Sequence, residues 1–245
     1  MKRRPLLPRL TILLLLCAVS AQAQNDPLSW VNGTRRAAGL VVLAPDALLS
    51  RTAEGWAARL ARTGILSHRG ADGSSALDRY RALGGTEVHV GEILGAGPSL
   101  WDVENAWQGS AEHLGVTRSP GWTHAGWGRY PSATGEVWVI LFCQKLVEEL
   151  RIEAQGAGLA VSGRFVEEIP EVPLFYAGLI PHQPAAWDKR TRRFSFQVPA
   201  PAEGYFRLGF VLSSGIYRLT NAFTWPPGTE SQEGPDRFSI PAAHP

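Results

Sequence analysis

The sequence predicts an α/β protein in two parts, an α-β-α sandwich followed by a small all-β sandwich-like domain. Three observations predict it. Glu136 to Cys143 carries no charge from Val137 onward and reads as a strand buried on both faces, which needs a cover on each side. Segments with helical periodicity precede it and supply those covers. Beyond about Arg151 that periodicity stops, prolines accumulate (Pro170, Pro173, Pro181, Pro184, Pro199 and Pro201), and short alternating runs follow one another with no helix between them.

The first 23 residues read as a cleavable signal peptide. Lys2, Arg3, Arg4 and Arg9 form a basic start, Thr11 to Val19 is apolar, and Ala21-Gln22-Ala23 is a small-residue cleavage site, so the mature chain begins at Gln24. The apolar run is too short to span a bilayer, and no later run reaches the ~18 uncharged apolar residues that a span requires. An exported protein is expected, periplasmic or extracellular, with no transmembrane segment. Leu16 stands before Cys17 where a lipoprotein box has a small residue, which argues against lipidation.

At 245 residues and 44% hydrophobic content, the chain has material for one large domain or two ordinary ones. Cleavage removes four of the 24 Lys and Arg and none of the 22 Asp and Glu, leaving 20 basic against 22 acidic residues and a formal charge of −2. The basic balance of the whole chain therefore belongs to export, and it implies no nucleic-acid partner. Cys143 is the one cysteine left after cleavage, so no disulfide can close within a monomer. Inside an apolar strand it reads as a small core residue.

The first domain, residues 27–146, takes its elements in this order. Leu28 to Arg36 reads as a short helix capped by Ser29 and stopped by Gly39, and Asn32-Gly33-Thr34 within it matches an N-glycosylation triplet. Pro45 to Thr63 is a stronger helix. Pro45 suits a first turn, Asp46 favours the positive end of the dipole, Leu49, Ala53, Trp56 and Leu60 recur at helical spacing, and Gly64 ends it. After the loop from Arg69 to Ser75, a short helix over Ala76 to Ala82 closes at Gly84-Gly85. Val88 to Ile93 alternates as a strand, and Leu94 to Pro98 reads as a glycine-rich flexible link. Ser99 caps the next helix, with Asp102 three residues on. Trp107, Ser110 and His113, spaced by threes, fall on one stripe of that helix or in its final turn. Trp122 to Gly128 and Glu136 to Cys143 pair as antiparallel strands, and Gly126 and Gly128 leave one face bare for close approach by another element.

The second domain, residues 151–228, has strands at Gly158 to Gly163, Arg193 to Val198, Tyr205 to Leu212 and Ile216 to Phe223. Phe175, Tyr176, Trp187 and Trp225 fit an aromatic binding face or, more economically, core packing. Residues 229–245 read as a flexible, polar, proline-rich tail.

Chemistry concentrates in the first domain. His68 stands at the edge of a loop after a helix, Glu92 at the end of a strand, and Ser110 and His113 share a stripe with Trp107. Two imidazoles and a carboxylate meeting in one cleft would suit a divalent ion with an open position for water or substrate, or a proton transfer. The same groups would equally satisfy one another by hydrogen bonds and shape the cleft. His89 and His124 fit as satisfied polar residues of strands. Glu104 and Glu112 fit as solvated helix surface, with the capacity to stand in for a missing acid. No Gly-x-Ser-x-Gly elbow and no His-Glu-x-x-His helix is present, which argues against the common hydrolase designs.

Several of these residues recur together in order: Asn32 and Arg35 with Gly39-Leu40; His68, Asp72-Gly73, Arg79 and Gly85; Gly91-Glu92; Trp107-x-x-Ser110-x-x-His113; Gly126-x-Gly128; and Val137-Trp138-Val139 with Phe142. From Trp30 to Phe142 the sequence thereby resembles the CAP superfamily, the SCP-like secreted domains of cysteine-rich secretory, venom-antigen and plant pathogenesis-related proteins, in its bacterial form. The resemblance implies an α-β-α sandwich and a cleft lined by His68, Glu92, Ser110 and His113. It also implies zinc or another divalent cation on His68 and His113, to which the reading of the residues adds Glu92 as a third ligand. Ser110 stands where many eukaryotic relatives carry a carboxylate, Ile93 replaces the asparagine after the Gly-Glu pair, and Ala111-Glu112 replaces a Pro-Gly. These departures weaken acid–base chemistry more than metal binding.

The expected function is an exported binding or envelope-associated protein that takes a lipid, glycan or protein ligand. One alternative is a metal-dependent hydrolase of peptidase or phosphodiesterase type, with Glu92 and Ser110 as its catalytic residues. The other is a structural envelope attachment module.

Overall fold

A computed structural model describes residues 26–199 and 204–226, so the expected signal peptide and the polar tail lie outside the described residues. The chain forms two compact units. Among the described residues, the first runs up to Ser67 and adds Glu92–Pro120 and Ala125–Leu141; the second takes His68–Gly91, Gly121–His124 and those from Phe142 on.

Helix α1 (Pro27–Ala37) is capped by Asp26, whose carboxylate accepts from Leu28 N at 3.0 Å. Ser29, the expected cap, lies inside the first turn and donates to Asp26 at 3.4 Å. An aspartate followed by proline is the better start, because proline at the first helical position gives up an N–H that has no partner there anyway. Strand β1 (Ala44–Pro45) and helix α2 (Ala47–Thr63) follow. Pro45 belongs to β1 rather than to the first turn of α2. Asp46 keeps an extended backbone, donates its N–H to Ala125 O at 2.9 Å, and caps α2 by accepting from Leu49 N at 2.8 Å. The apolar stripe of α2 is buried through Leu49, Ala53, Trp56, Ala57 and Leu60, and Gly64, left-handed at φ 70°, closes the helix.

The glycosylation triplet serves the fold instead. Asn32 Nδ2 donates to Leu43 O at 3.1 Å while its Oδ1 accepts from Leu43 N at 2.8 Å, so the amide pins the chain just before β1. Asn32→Asp keeps the acceptor, loses the donor and sets an anion against the Leu43 carbonyl. We expect urea denaturation to show a loss of about 1–3 kcal/mol with an unchanged m-value.

Next come α3 (Ala76–Ala82), β2 (Val90–Gly97), α4 (Leu100–Gln108), α5 (Ala111–Thr117), β3 (His124–Ser132) and β4 (Gly135–Cys143). Strand β2 runs through the Leu94–Gly97 stretch that reads in sequence as a flexible link. The glycines there answer to packing. A Cβ on Gly95 would stand 2.8 Å from Val103 Cγ1 and 3.1 Å from Trp107 Nε1, so α4 can lie on the strand only where side chains are missing. The single helix expected to carry Trp107, Ser110 and His113 is two helices. Helix α4 stops at Gln108, and Ser110 caps α5 with its Oγ accepting from His113 N at 3.4 Å. Serine competes for backbone donors, which makes it a better helix start than a helix interior.

The first sheet has the order β1-β3-β4-β2. Inner strand β4 is buried from Val137 through Cys143, as its uncharged run requires of a strand covered on both faces. Cys143 is buried in this strand.

The remaining strands are β5 (Val147–Gln155), β6 (Gly158–Phe165), β7 (Pro173–Ala177), β8 (Ile180–His182), β9 (Ala186–Asp188), β10 (Arg193–Val198), β11 (Gly204–Val211) and β12 (Tyr217–Trp225). They form two four-stranded sheets, β5-β6-β10-β9 and β12-β11-β7-β8. Alternate residues of β6 and β10, Leu159, Val161, Phe165, Phe194, Phe196 and Val198, share one core with Phe175, Phe206, Leu208, Phe210 and Phe223 of the other sheet. Two sheets on one apolar core are a sandwich. The four aromatics weighed as a binding face pack instead. Phe175 is in the core, Trp187 meets Phe165 edge-on at 6.1 Å, Trp225 lies partly buried against the core, and Tyr176 is edge-on to Tyr217 at 5.1 Å beneath Arg207.

Candidate functional site

Three of the sequence-selected residues meet where α4 passes into α5 in the first unit. Trp107 is 1% exposed, and its Nε1 donates to Leu94 O at 3.0 Å on β2. Its ring packs, tilted, against Trp30 of α1 at 5.4 Å between centroids and against His113 at 6.5 Å. The Ser110 hydroxyl caps α5 by accepting from His113 N. His113 is half-buried, and its Nδ1 is fully buried with no hydrogen-bond partner. A buried polar atom left unpaired costs about 1–3 kcal/mol, so this ring carries an unfilled hydrogen-bonding position beside the Trp107 indole.

Glu92 is half-buried on β2 in the same unit. His68 is exposed and belongs to the second unit, where its carbonyl accepts from Arg79 Nη1 at 3.3 Å. Among the described residues, no group of three or more His, Cys, Asp or Glu is placed to hold a metal ion. Of the bystander histidines, His89 is exposed and its carbonyl accepts from Gln144 N, while His124 Nδ1 lies 2.9 Å from Thr123 Oγ1.

Sequence reasoning missed two buried polar centres. The Arg35 guanidinium is fully buried and donates to three carbonyls, those of Val41, Thr117 and Ser119. Arg35 belongs to the ordered motif, but its burial shows in the sequence only as a charge on the buried side of a short amphipathic helix. Tyr80 Oη donates to Glu87 Oε2 at 2.5 Å, with both residues buried; nothing in the local pattern of either segment announces that pair.

Glu104, read from the sequence as solvated helix surface, is half-buried on α4. Burial, and after it the Asp26 carboxylate, holds its carboxyl above the ordinary glutamate value. The folded state therefore favours protonated Glu104. That contribution is fully present below the ordinary glutamate range and is lost as pH rises through the raised value. Glu104→Gln should leave the thermal midpoint near wild type at about pH 4 and raise it at about pH 7, read by calorimetry across that range.

Residues 28–144 match the family model of the cysteine-rich secretory protein family, CAP. Among solved structures, the chain is similar to an outer surface protein of Borrelia burgdorferi at 24% identity and TM-score 0.45, over 48% of this chain and 88% of that one. It is similar to an extracellular SCP-domain protein of Bacillus anthracis at 22% and 0.43, over 47% of this chain and 38% of that one, little more than a third of its length. A third is venom allergen-like protein 4 of Schistosoma mansoni, at 11% and 0.38, over 47% and 84%. Comparison with curated proteins gave no match. Among the described residues no helix is long and apolar enough to cross a membrane. The α-β-α elements, the ordered motif from Asn32 to Phe142 and the family match coincide over the same stretch, and residues 28–144 are a domain of the cysteine-rich secretory protein family.

Proposed function

We propose that this chain is an exported binding protein, not an efficient enzyme, and that its CAP domain takes its ligand at His113, beside the Ser110 cap and the Trp107 indole. The observation that carries this reading is the buried, unpartnered Nδ1 of His113 at a half-buried ring that packs, tilted, against Trp107. Such a surface suits a ligand with an apolar or ring-shaped face and one hydrogen-bonding group, which describes a lipid or a glycan better than a polyanion. This reading needs no metal, and a divalent ion held by His68, His113 and Glu92 is a separate result that the same experiment reads.

The test follows the His113 ring by nitrogen-15 NMR in the full mature chain, adding phosphatidylcholine vesicles, soluble glycan fragments or zinc in turn. A saturable shift with lipid or glycan that disappears in His113→Ala is the expected result. A stoichiometric shift with zinc alone, lost in both His68→Ala and His113→Ala, replaces the proposal with a metal site. No shift with any of the three defeats it.

A further inference from the structure

We propose that the β-sandwich acts as the holder of the CAP segment bearing His68, and so is a working part of that domain rather than an appendage. Residues 68–91 lie inside the family match, yet they group with the sandwich in the second unit. The attachment is specific. Thr86 and Glu87 lie along β12, where Ala222 N donates to Thr86 O at 2.7 Å, Asn221 Nδ2 donates to Thr86 Oγ1 at 2.9 Å, and Glu87 and Asn221 form an antiparallel bridge. Asn221 is 1% exposed and Glu87 6%, so these bonds are shielded from competing water. Lys145, just beyond β4, brings its ammonium to 3.9 Å from Glu87 Oε1.

From Glu87 the connection continues to the histidine. Tyr80, fully buried on α3, donates to Glu87 Oε2, and the turn between them passes so close over its ring that a Cβ on Gly85 would stand 2.2 Å from Tyr80 Cε1. Arg79, the next residue back on α3, donates to Ser74 O at 3.0 Å and His68 O at 3.3 Å. A surface loop and a seven-residue helix have little stability of their own, because so short a helix scarcely repays its nucleation. Strand β12 therefore supplies the order of the whole segment. This inference does not depend on what the first unit binds.

Hydrogen exchange by mass spectrometry on the full mature chain tests it. Asn221→Leu removes the buried donor, and Thr86→Val removes its acceptor without changing size, which keeps the test alive if the first variant fails to fold. In each folded variant, peptides spanning 68–91 should exchange about ten-fold faster while peptides from α2 stay at the wild-type rate. Reciprocally, Tyr80→Phe should speed exchange in β12 and leave β10 unchanged. No acceleration in 68–91, or an equal acceleration in 68–91 and α2, overturns the proposal.

Discussion

Gly128→Ala is expected to cost the fold about 3 kcal/mol or more, a large part of the ~5–15 kcal/mol that holds an ordinary domain together. A Cβ at this position would stand 2.1 Å from Glu54 N, 2.3 Å from Glu54 Cα and 2.6 Å from Ala53 C. All three are backbone atoms of α2. A flexible side-chain tip could swing aside, but a helix backbone yields only by moving the helix, and α2 is fixed along its length by Leu49, Ala53, Trp56 and Leu60. Gly126 makes the same approach one turn earlier, with a Cβ 2.3 Å from Ser50 N and 2.7 Å from Asp46 O. Both substitutions push on one rigid body. The helix displaced by the first makes room for the second, so the double variant should lose less than the sum of the two. The control is Gly55, inside α2 but with nothing within 4 Å of a new Cβ, where alanine should gain about 0.5–1 kcal/mol by helix propensity. Thermal and urea denaturation of the four variants separates close packing from a general intolerance of alanine.

That contrast explains what was legible in the sequence. The bare face offered by Gly126 and Gly128 could be read because two glycines two apart in a strand have one plain use, and α2 fills it. Gly95 and Gly97 have the same use, but inside a Leu-Gly-Ala-Gly run they read as a flexible link, and only the position of Val103 and Trp107 reveals the packing. The Trp107, Ser110 and His113 spacing gathered the right residues under the wrong geometry. A stripe at threes assumes one continuous helix, whereas the serine starts a new one, its hydroxyl accepting from the backbone N–H of His113 as the cap of α5. His68 could be chosen by motif, but nothing in its local sequence says that β12, about 150 residues later, orders its segment. Local pattern carries periodicity and caps; it does not carry partners brought together by the chain's long-range course.

Arg35→Met should be comparably damaging, at about 3–5 kcal/mol, lowering the thermal midpoint by roughly 10 °C. Arg35 sits in the last turn of α1, and its side chain reaches out of that helix to the link toward β1 and to the end of α5. Nε donates to Val41 O at 2.8 Å in the link toward β1, and Nη1 donates to Thr117 O at 2.9 Å and Ser119 O at 2.8 Å where α5 ends. The C-terminal carbonyls of α5 have no partners within the helix, and a cation there also meets the negative end of its dipole. Methionine matches the length and removes every donor, leaving three carbonyls to find water in a site where the arginine is fully buried. Arg35→Lys should recover about half of the loss, because one ammonium on a straight stem cannot address acceptors that the planar fork reaches from two of its nitrogens. Since α5 carries His113 and starts at Ser110, the damage should also reach the site. Hydrogen exchange at the α5 amides should rise in both variants, more in Met than in Lys, while the β6 and β10 amides of the sandwich stay protected. Equal loosening of α5 and the sandwich would show that Arg35 supports the whole chain and not this corner of it.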